Sequence, residues 1–228
     1  MPVIEVRGVS HRYGADRTVL SDVDVSISEA RVGVIGANGS GKSTFARMIN
    51  GLVLPTAGQV TVDGLDTRTD GREVRRRVGF CFTDPDAQIV MPTVGEDIAF
   101  GLRRRGLDKE DIADRVERAL VSYGLAEHRD HPAHLLSGGQ KQLLAIASVL
   151  VTDPELLVMD EPTTLLDLAN ARRITELVAG LPLQVVLVTH HLDLLAGYDR
   201  VLVFDRGRIV YDAPPDDAVA HYQRLMRA

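Results

Sequence analysis

The chain has 228 residues and a formal net charge of −6. This length suits one large α/β core with an inserted subdomain and is short for two independent domains. The acidic balance provides no basic field, so nucleic acid is not expected as a main partner. The single cysteine, Cys81, excludes an intramolecular disulfide and fits a reducing compartment, and no apolar run is long enough to span a bilayer.

The first segments predict an antiparallel pair of strands. Val3–Val9 and Val19–Ile27 alternate in polarity or carry β-branched residues, and the polar sequence HRYGADRT connects them. Tyr13 is predicted to lie in this connection, where its ring could stack on a nucleotide base. A tyrosine packed at the end of a hairpin explains the same residue equally well.

A glycine-rich stretch, GANGSGKST at residues 36–44, follows the next apolar run. Val32–Ile35 indicates a buried strand and Ser43–Leu52 the start of a helix, which is the context that a phosphate-binding P-loop requires. Glycines let several backbone N–H groups approach one phosphate, and the helix N-terminus adds partial positive charge. Lys42 is placed to reach the β- and γ-phosphates, and the Ser43 hydroxyl can coordinate Mg²⁺. The predicted loop residues are Gly36, Asn38, Gly39, Ser40, Gly41, Lys42, Ser43 and Thr44.

The middle of the chain predicts strands and then helices. The expected elements are strands at Gly58–Gly64 and Val78–Phe82, a solvated basic run at Arg72–Arg77, and helices at Thr93–Arg105 and Asp108–Tyr123, the latter ended by Gly124. The segment from Thr83 to Gly101 mixes apolar, acidic and proline residues with little periodicity, and an exposed apolar loop of this kind suggests a docking surface.

The sequence LSGGQKQ at 136–142 predicts a second helix start that can bind an anion. Ser137 is the candidate N-cap, and two glycines let the backbone approach a ligand, although the motif alone is a weak signal. Three histidines precede it at three-residue intervals: His128, His131 and His134. A metal site there is a minor alternative, because Pro132 argues against a helix that would align the rings.

Two later apolar runs end in ionisable residues. Leu156–Met159 is followed by Asp160 and Glu161, and Gln184–Thr189 is followed by His190. Because open α/β sheets bind ligands at the carboxyl ends of their strands, these side chains are expected to share one crevice. There Asp160 would hold Mg²⁺, directly or through water, and Glu161 would polarise an attacking water. A hairpin and a closing helix are expected at 200–212 and 214–226.

In this order and spacing, GANGSGKST, LSGGQ, LLVMDEP and TH resemble the ATP-binding subunit of an ABC transporter, and the resemblance covers essentially the whole chain. It implies one ABC ATPase domain over residues 1–228. Its α/β fold would be a P-loop NTPase (RecA-like) core with an N-terminal antiparallel β subdomain and an α-helical subdomain inserted at about 84–152. A P-loop GTPase is the rival from another class, but the sequence has no Asn-Lys-x-Asp motif and LSGGQ would be unexplained.

The resemblance further implies ATP and Mg²⁺ as ligands and a head-to-tail pair of ATPase subunits, identical or different, with each ATP between the P-loop of one and the LSGGQ of the other. The implied roles are catalysis by Lys42, Glu161 and His190; adenine stacking by Tyr13; Mg²⁺ binding by Ser43, Asp160 and Thr83; contact with the partner's γ-phosphate by Ser137, Gly138, Gly139 and Gln140; and a dimer-communicating loop at Asp167. Thr83 stands where the family usually has glutamine, and Leu143 where many relatives have arginine.

The segment DPDAQIVMPTVGEDIAFG is similar to that of energy-coupling-factor (ECF) importers, in which the position of Gln88 belongs to an extra short helix. Such importers take up vitamins or transition metal ions, and the expected partners are a transmembrane coupling protein and a small substrate-binding membrane protein. The subunit is therefore expected to be peripheral, at the cytoplasmic face of the cell membrane. Because the chain ends soon after its closing helix, it resembles the ATPases of biotin importers. A cobalt, nickel or other vitamin importer and a non-transport soluble ABC ATPase are the alternatives.

Overall fold

The structure is a computed structural model that describes residues 1–14, 17–103 and 105–227. The chain divides into two compact units. The first comprises residues 1–80, 155–161 and the chain from 182 onward, and the second comprises residues 81–154 and 162–181. No helix within the described ranges is long and apolar enough to cross a bilayer.

Strands form two sheets. The strands are β1 (Ile4–Tyr13), β2 (Arg17–Ile27), β3 (Arg31–Gly36), β4 (Ala57–Val62), β5 (Leu65–Asp66), β6 (Val78–Cys81), β7 (Leu156–Asp160), β8 (Gln184–Val188), β9 (Arg200–Asp205) and β10 (Arg208–Ala213). One sheet has the order β2-β1-β4-β5 and is antiparallel, and the other has the order β10-β9-β3-β8-β7-β6. The predicted α/β fold is confirmed.

The larger sheet brings the predicted ligand-binding strands side by side. β3 pairs in parallel with β8 and β9, and β8 pairs in parallel with β7. Every residue of β7 and β8 is buried, as expected for parallel strands covered on both faces, which read as continuous apolar runs. The carboxyl ends of β3, β7 and β8 therefore meet at one sheet edge, where the P-loop, Asp160 and Glu161 follow.

The N-terminal hairpin is longer than the sequence pattern predicts. Tyr13 is the last residue of β1 and pairs with Arg17 of β2, so the expectation that it lies in the connecting segment is wrong. The backbone ladder continues through polar residues because strand pairing uses N–H and C=O groups, whatever the side chain. Residues 15 and 16 of the connection lie outside the described residues.

The helices of the described residues are α1 (Lys42–Ile49), α2 (Gly71–Arg77), α3 (Val94–Leu102), α4 (Lys109–Ser122), α5 (Gly138–Leu150), α6 (Leu168–Ala179) and α7 (Pro215–Leu225). The basic run is the helix α2, whose arginines are exposed or half-buried and whose Val74 is buried. No element was predicted for α6, which Asp167 caps by accepting a hydrogen bond from the Asn170 N–H at 2.8 Å. Residue 104, within the predicted helix Thr93–Arg105, is outside the described residues.

In the second unit, α3 packs against α4 and α5, and the side chains of Asp97 and Gln88 anchor the loop that precedes α3. Asp97 is 4% exposed and accepts hydrogen bonds from the Val90 and Met91 N–H groups and the Ser148 hydroxyl, at 2.9–3.0 Å. Gln88 ends a short 3-10 turn and donates to the Ala145 carbonyl at 2.9 Å. The loop is therefore fixed at two points, while Val90 itself is 61% exposed.

Candidate active site

Lys42 is the first residue of α1 and its side chain is 4% exposed. Its Nζ donates to the backbone carbonyls of Gly36 at 2.8 Å and Ala37 at 2.9 Å, both in the loop. Burial lowers the pKa of Lys42, and the carboxylates of Glu161 and Asp160 act in the opposite direction. A buried ammonium held by two neutral carbonyls is well placed to bind an anion, because a phosphate neutralises its charge.

The loop around Lys42 has room for nothing larger than glycine at its first position. A Cβ on Gly36 would lie 2.2 Å from the Phe204 carbonyl oxygen. The Ser40 Oγ is buried and makes no hydrogen bond within the described residues. An unpartnered buried hydroxyl in a loop of backbone donors fits a site that a phosphate oxygen completes.

Asp160 ends β7 and is 1% exposed. Its Oδ1 accepts the Ser43 hydroxyl at 2.8 Å, and its Oδ2 lies 3.3 Å from Nη2 of Arg47. Burial raises the pKa of Asp160 against the lowering effects of Ser43 and Arg47, and the charge of Glu161 also raises it. Adjacent ligands of octahedral Mg²⁺ are about 2.9 Å apart, so the oxygens of Ser43 and Asp160 already have the spacing and chemistry that this cation needs.

Glu161 has a left-handed backbone, with φ of 51°, which is unusual for a residue other than glycine. Its N–H donates to the Val188 carbonyl at 2.9 Å, and its Oε2 lies 2.8 Å from Nδ1 of His190. The side chain of Glu161 is 16% exposed and that of His190 42% exposed. A strained turn thus directs a carboxylate toward the edge of the sheet, where an imidazole orients it.

Lys42, Ser43 and Glu161 line a cavity of about 180 Å³ in the first unit. It is lined by Tyr13, Arg17, Val19, Asn38, Gly39, Gly41, Lys42, Ser43, Thr44 and Glu161. Tyr13 is 45% exposed, and the buried His11 contacts its ring edge-on, with ring centroids 4.6 Å apart. The cavity therefore combines an exposed aromatic ring with a cationic loop and a carboxylate, which suits a molecule with a planar base and phosphates.

The second unit contains the other glycine-rich helix start. The Ser137 Oγ accepts the Gln140 N–H at 3.3 Å, and the Gln140 Oε1 accepts the Ser137 N–H at 2.9 Å, so the predicted N-cap is a capping box. A Cβ on Gly139 would lie 2.3 Å from Oδ1 of Asn170, and Nδ2 of Asn170 donates to Asp167 at 3.0 Å. The close approach that Gly139 permits therefore joins α5 to the first turn of α6 beside Asp167.

A family model described as ABC transporter matches residues 20–164. This chain belongs to the ABC transporter ATP-binding family. The ABC ATPase is 54% identical to a putative ABC transporter ATP-binding protein of Deinococcus radiodurans, over 98% of this chain and 99% of that protein. It is 49% identical to the biotin transport ATP-binding protein BioM of Rhizobium etli, over 97% of each chain. It is 42% identical to the energy-coupling factor transporter ATP-binding protein EcfA1 of Symbiobacterium thermophilum, over 98% of this chain and 83% of that one.

Among solved structures, the ABC ATPase is similar to cbiO1 from Clostridium perfringens, described as part of the ABC transporter complex cbiONQ. The TM-score is 0.84 at 30% sequence identity, and the match covers 98% of this chain and 93% of that one. The predicted resemblance to ABC transporter ATP-binding subunits is therefore confirmed. The predictions that the protein is an ATPase and that it binds nucleotide are confirmed as well.

The predicted site residues of the ABC ATPase divide between the two units. The first unit brings together Tyr13, the P-loop residues, Asp160, Glu161 and His190. The second unit holds Thr83, half-buried after β6, together with Ser137, Gly138, Gly139, Gln140 and Asp167. Nδ1 of His128 lies 2.8 Å from Nδ1 of His131, but the described residues contain no group of three or more potential metal ligands.

Three features of the ABC ATPase site were not predicted from the sequence. Arg47 contacts Asp160, Arg17 lines the cavity beside Tyr13, and His128 contacts the motif residue Gln140 at 2.9 Å. Arg47 follows Ser43 by four residues, one helical turn, which is a spacing that could have indicated it. The other two depend on strand register and on the packing of a loop, for which the sequence contains no local signal.

Proposed function

We propose that this ABC ATPase energises an importer of the energy-coupling-factor type, with biotin as the favoured solute. The observation that carries the proposal is its end-to-end similarity to BioM of Rhizobium etli, at 49% identity over 97% of each chain. The similarity to EcfA1 supports the same class of importer. The ATPase would be peripheral, at the cytoplasmic face of the membrane, bound to a transmembrane coupling protein and a small substrate-binding protein.

Hydrolysis would take place at the cavity of the first unit. Tyr13 stacks on adenine, the loop N–H groups surround the phosphates, and Lys42 transfers its Nζ contacts from the loop carbonyls to the β- and γ-phosphates. Mg²⁺ would supply neutralisation of the phosphate charge when bound. Ser43 and Asp160 would hold it, since their oxygens already lie 2.8 Å apart.

Glu161 is the general base in this proposal. Its carboxylate accepts the proton of the attacking water, and His190 keeps the carboxylate oriented through the 2.8 Å contact and senses the γ-phosphate. The chemistry needs positioning and charge neutralisation more than covalent participation by the protein. The buried carboxylate, ammonium and hydroxyl groups of the first unit meet that need.

The second unit would act on the ATP of a partner. In a head-to-tail dimer, Ser137, Gly138, Gly139 and Gln140 approach the γ-phosphate bound by the partner subunit, and Asp167 lies in the loop that connects the two sites. The capping box supports this role because it fixes the first turn of α5, whose N-terminus is free of acidic side chains. The partner is a second copy of this chain or a different ATPase subunit.

The test is purification of the tagged chain from native membranes, with identification of the proteins that accompany it. A transmembrane scaffold together with a small membrane protein that carries biotin is the expected result. Recovery of soluble partners alone would overturn the transport proposal and leave the ATPase assignment unchanged. A small membrane protein that carries another vitamin or a transition metal ion would favour the second candidate function, an importer of that other solute. The similarity to EcfA1 supports this candidate, because the name of EcfA1 specifies no solute.

A further inference from the structure

His128 lies outside the motifs that the proposed function uses, yet it contacts one of them. Its Nε2 is 2.9 Å from the Nε2 of Gln140, and its Nδ1 is 2.8 Å from the Nδ1 of His131. All three residues belong to the second unit. The hydrogen bonds of the capping box of α5 are thus extended by two imidazoles, those of His128 and His131, in the segment that precedes the helix.

The backbone of Ser137 determines where the protons in this chain of contacts lie. The Ser137 N–H is a donor, so the Gln140 atom that faces it at 2.9 Å must be the carbonyl oxygen Oε1. The other end of the amide is then the NH₂ group, which donates to Nε2 of His128. Because a neutral imidazole carries its proton on only one nitrogen, His128 must carry it on Nδ1.

The assignment extends to the second imidazole. The Nδ1–H of His128 donates to Nδ1 of His131, which must therefore be unprotonated and carry its own proton on Nε2. The tautomers of His128 and His131 both follow from the direction in which the Ser137 N–H donates. The reverse orientation of the Gln140 amide would put its NH₂ group against the Ser137 N–H and is excluded.

The same contacts set the direction of the Ser137 hydroxyl. Its oxygen accepts the Gln140 N–H at 3.3 Å, so its hydrogen remains available to donate to an anion at the start of α5. The side chain of Gln140 is anchored at one end by the Ser137 N–H and at the other by His128. Without His128, the amide would be held at one end only, and the cap would lose part of its order.

We propose that His128, oriented by His131, is a positioning residue for the anion-binding start of α5. This inference rests on the proposed function, in which that helix start closes on the γ-phosphate bound by a partner subunit. His128 does not touch the nucleotide. It fixes Gln140 and, through it, the hydroxyl and N–H of Ser137.

The proton assignment is tested first, on the full-length chain labelled with ¹⁵N and without nucleotide. Imidazole ¹⁵N spectra recorded at about pH 8, where an ordinary histidine is neutral, should show His128 protonated at Nδ1 and His131 at Nε2. The variant His128→Gln identifies the signals. A His128 protonated at Nε2 would overturn the inference, whatever the activity of the chain.

The functional test compares three variants. His128→Phe keeps the ring but removes the acceptor nitrogen, whereas His128→Gln supplies an acceptor oxygen at a position close to Nε2. His134→Phe is the matched control, because His134 is an exposed histidine of the same segment whose ring makes no hydrogen bond in the described part of the chain. The measurements are kcat, ATP-driven dimerisation, and the affinity of the monomer for ATP.

His128→Phe should lower kcat and the ATP-driven dimerisation constant about five- to tenfold, the effect of one lost hydrogen bond at a cap. Its monomeric affinity for ATP should stay unchanged, because the P-loop is in the other unit. His128→Gln should recover most of the loss, and His134→Phe should match the wild type. A His128→Phe variant with wild-type kcat and dimerisation, or no recovery with His128→Gln, would refute the positioning role alone. A wild-type chain that binds ATP without dimerising would instead overturn the proposed dimer and, with it, this inference.

Discussion

The buried carboxylate of Asp97 holds the loop that precedes α3, so substitutions of Asp97 should lower the stability of the protein by amounts that depend on which hydrogen bonds they remove. Oδ1 accepts the Val90 and Met91 N–H groups, and Oδ2 accepts the Ser148 hydroxyl. Asp97 is 4% exposed, and Asp97→Ala removes the acceptor of these three partly buried hydrogen bonds. At about 1–3 kcal/mol for each unsatisfied buried donor, and with water reaching some of them, we expect a stability loss of about 3–5 kcal/mol.

Asp97→Asn should cost much less. Its amide oxygen can still accept both backbone N–H groups, and its NH₂ group can donate to Ser148, so charged hydrogen bonds become neutral ones at a cost of about 1–2 kcal/mol. Asp130→Ala is the matched control, because the Asp130 side chain is 93% exposed, and a change within about 0.5 kcal/mol is expected.

Urea denaturation measures these free energies, and hydrogen exchange of the Val90 and Met91 amides reports the local effect. Both amides should lose protection in Asp97→Ala and keep most of it in Asp97→Asn. An Asp97→Ala variant within about 1 kcal/mol of the wild type would refute the view that this carboxylate holds the loop, since a lost network of buried hydrogen bonds exceeds that value.

Three further predictions concern the first unit and the cysteine. Glu161→Gln should lower the single-turnover rate of ATP hydrolysis about 10²- to 10⁴-fold while ATP still binds, because Gln keeps the contact with His190 but cannot accept a proton; a loss below tenfold would contradict its role as base. Tyr13→Ala should weaken ATP binding measured by titration calorimetry by about 1–3 kcal/mol, and Tyr13→Phe should not, because only the ring stacks; equal effects of the two changes would argue against stacking. Burial raises the pKa of Cys81 to about 12 from 9.0. The unfolded thiol therefore ionises first, so the stability of the wild type relative to Cys81→Ala should fall by about 1 kcal/mol between pH 8 and pH 10, and a difference independent of pH would contradict the buried neutral thiol.

The parts of the site that sequence could predict are those with local determinants. The P-loop needs glycines, a lysine and a hydroxyl within nine consecutive residues, so its pattern is readable without a structure. The N-cap at Ser137 follows in the same way from a serine three residues before a glutamine. The prediction that Asp160 and Glu161 lie at a sheet edge is correct because the apolar run before them indicates a buried strand.

Other features depend on packing that no short window contains. The helix α6 is different, because its buried Ile174 and Val178 lie four residues apart and Asp167 caps it, so the sequence does contain local signals for this helix. The sequence predicts a connecting segment at Tyr13 because the residues around it are polar and show no strand pattern. The strand pairing nevertheless continues to Tyr13 and Arg17. The contact between His128 and Gln140 joins residues 12 positions apart through a non-helical segment, which spacing rules do not predict.

The proposed transport function is tested most directly by ATP-driven uptake of labelled biotin into liposomes that contain the complex purified through this chain. The wild-type complex should accumulate biotin when ATP is supplied at the side on which the ATPase lies, and the same complex with Glu161→Gln should bind ATP without uptake. Uptake of a different solute by the wild-type complex would contradict biotin and retain the importer. Absence of any membrane partner, with ATP hydrolysis intact, would contradict the account that this ATPase drives import.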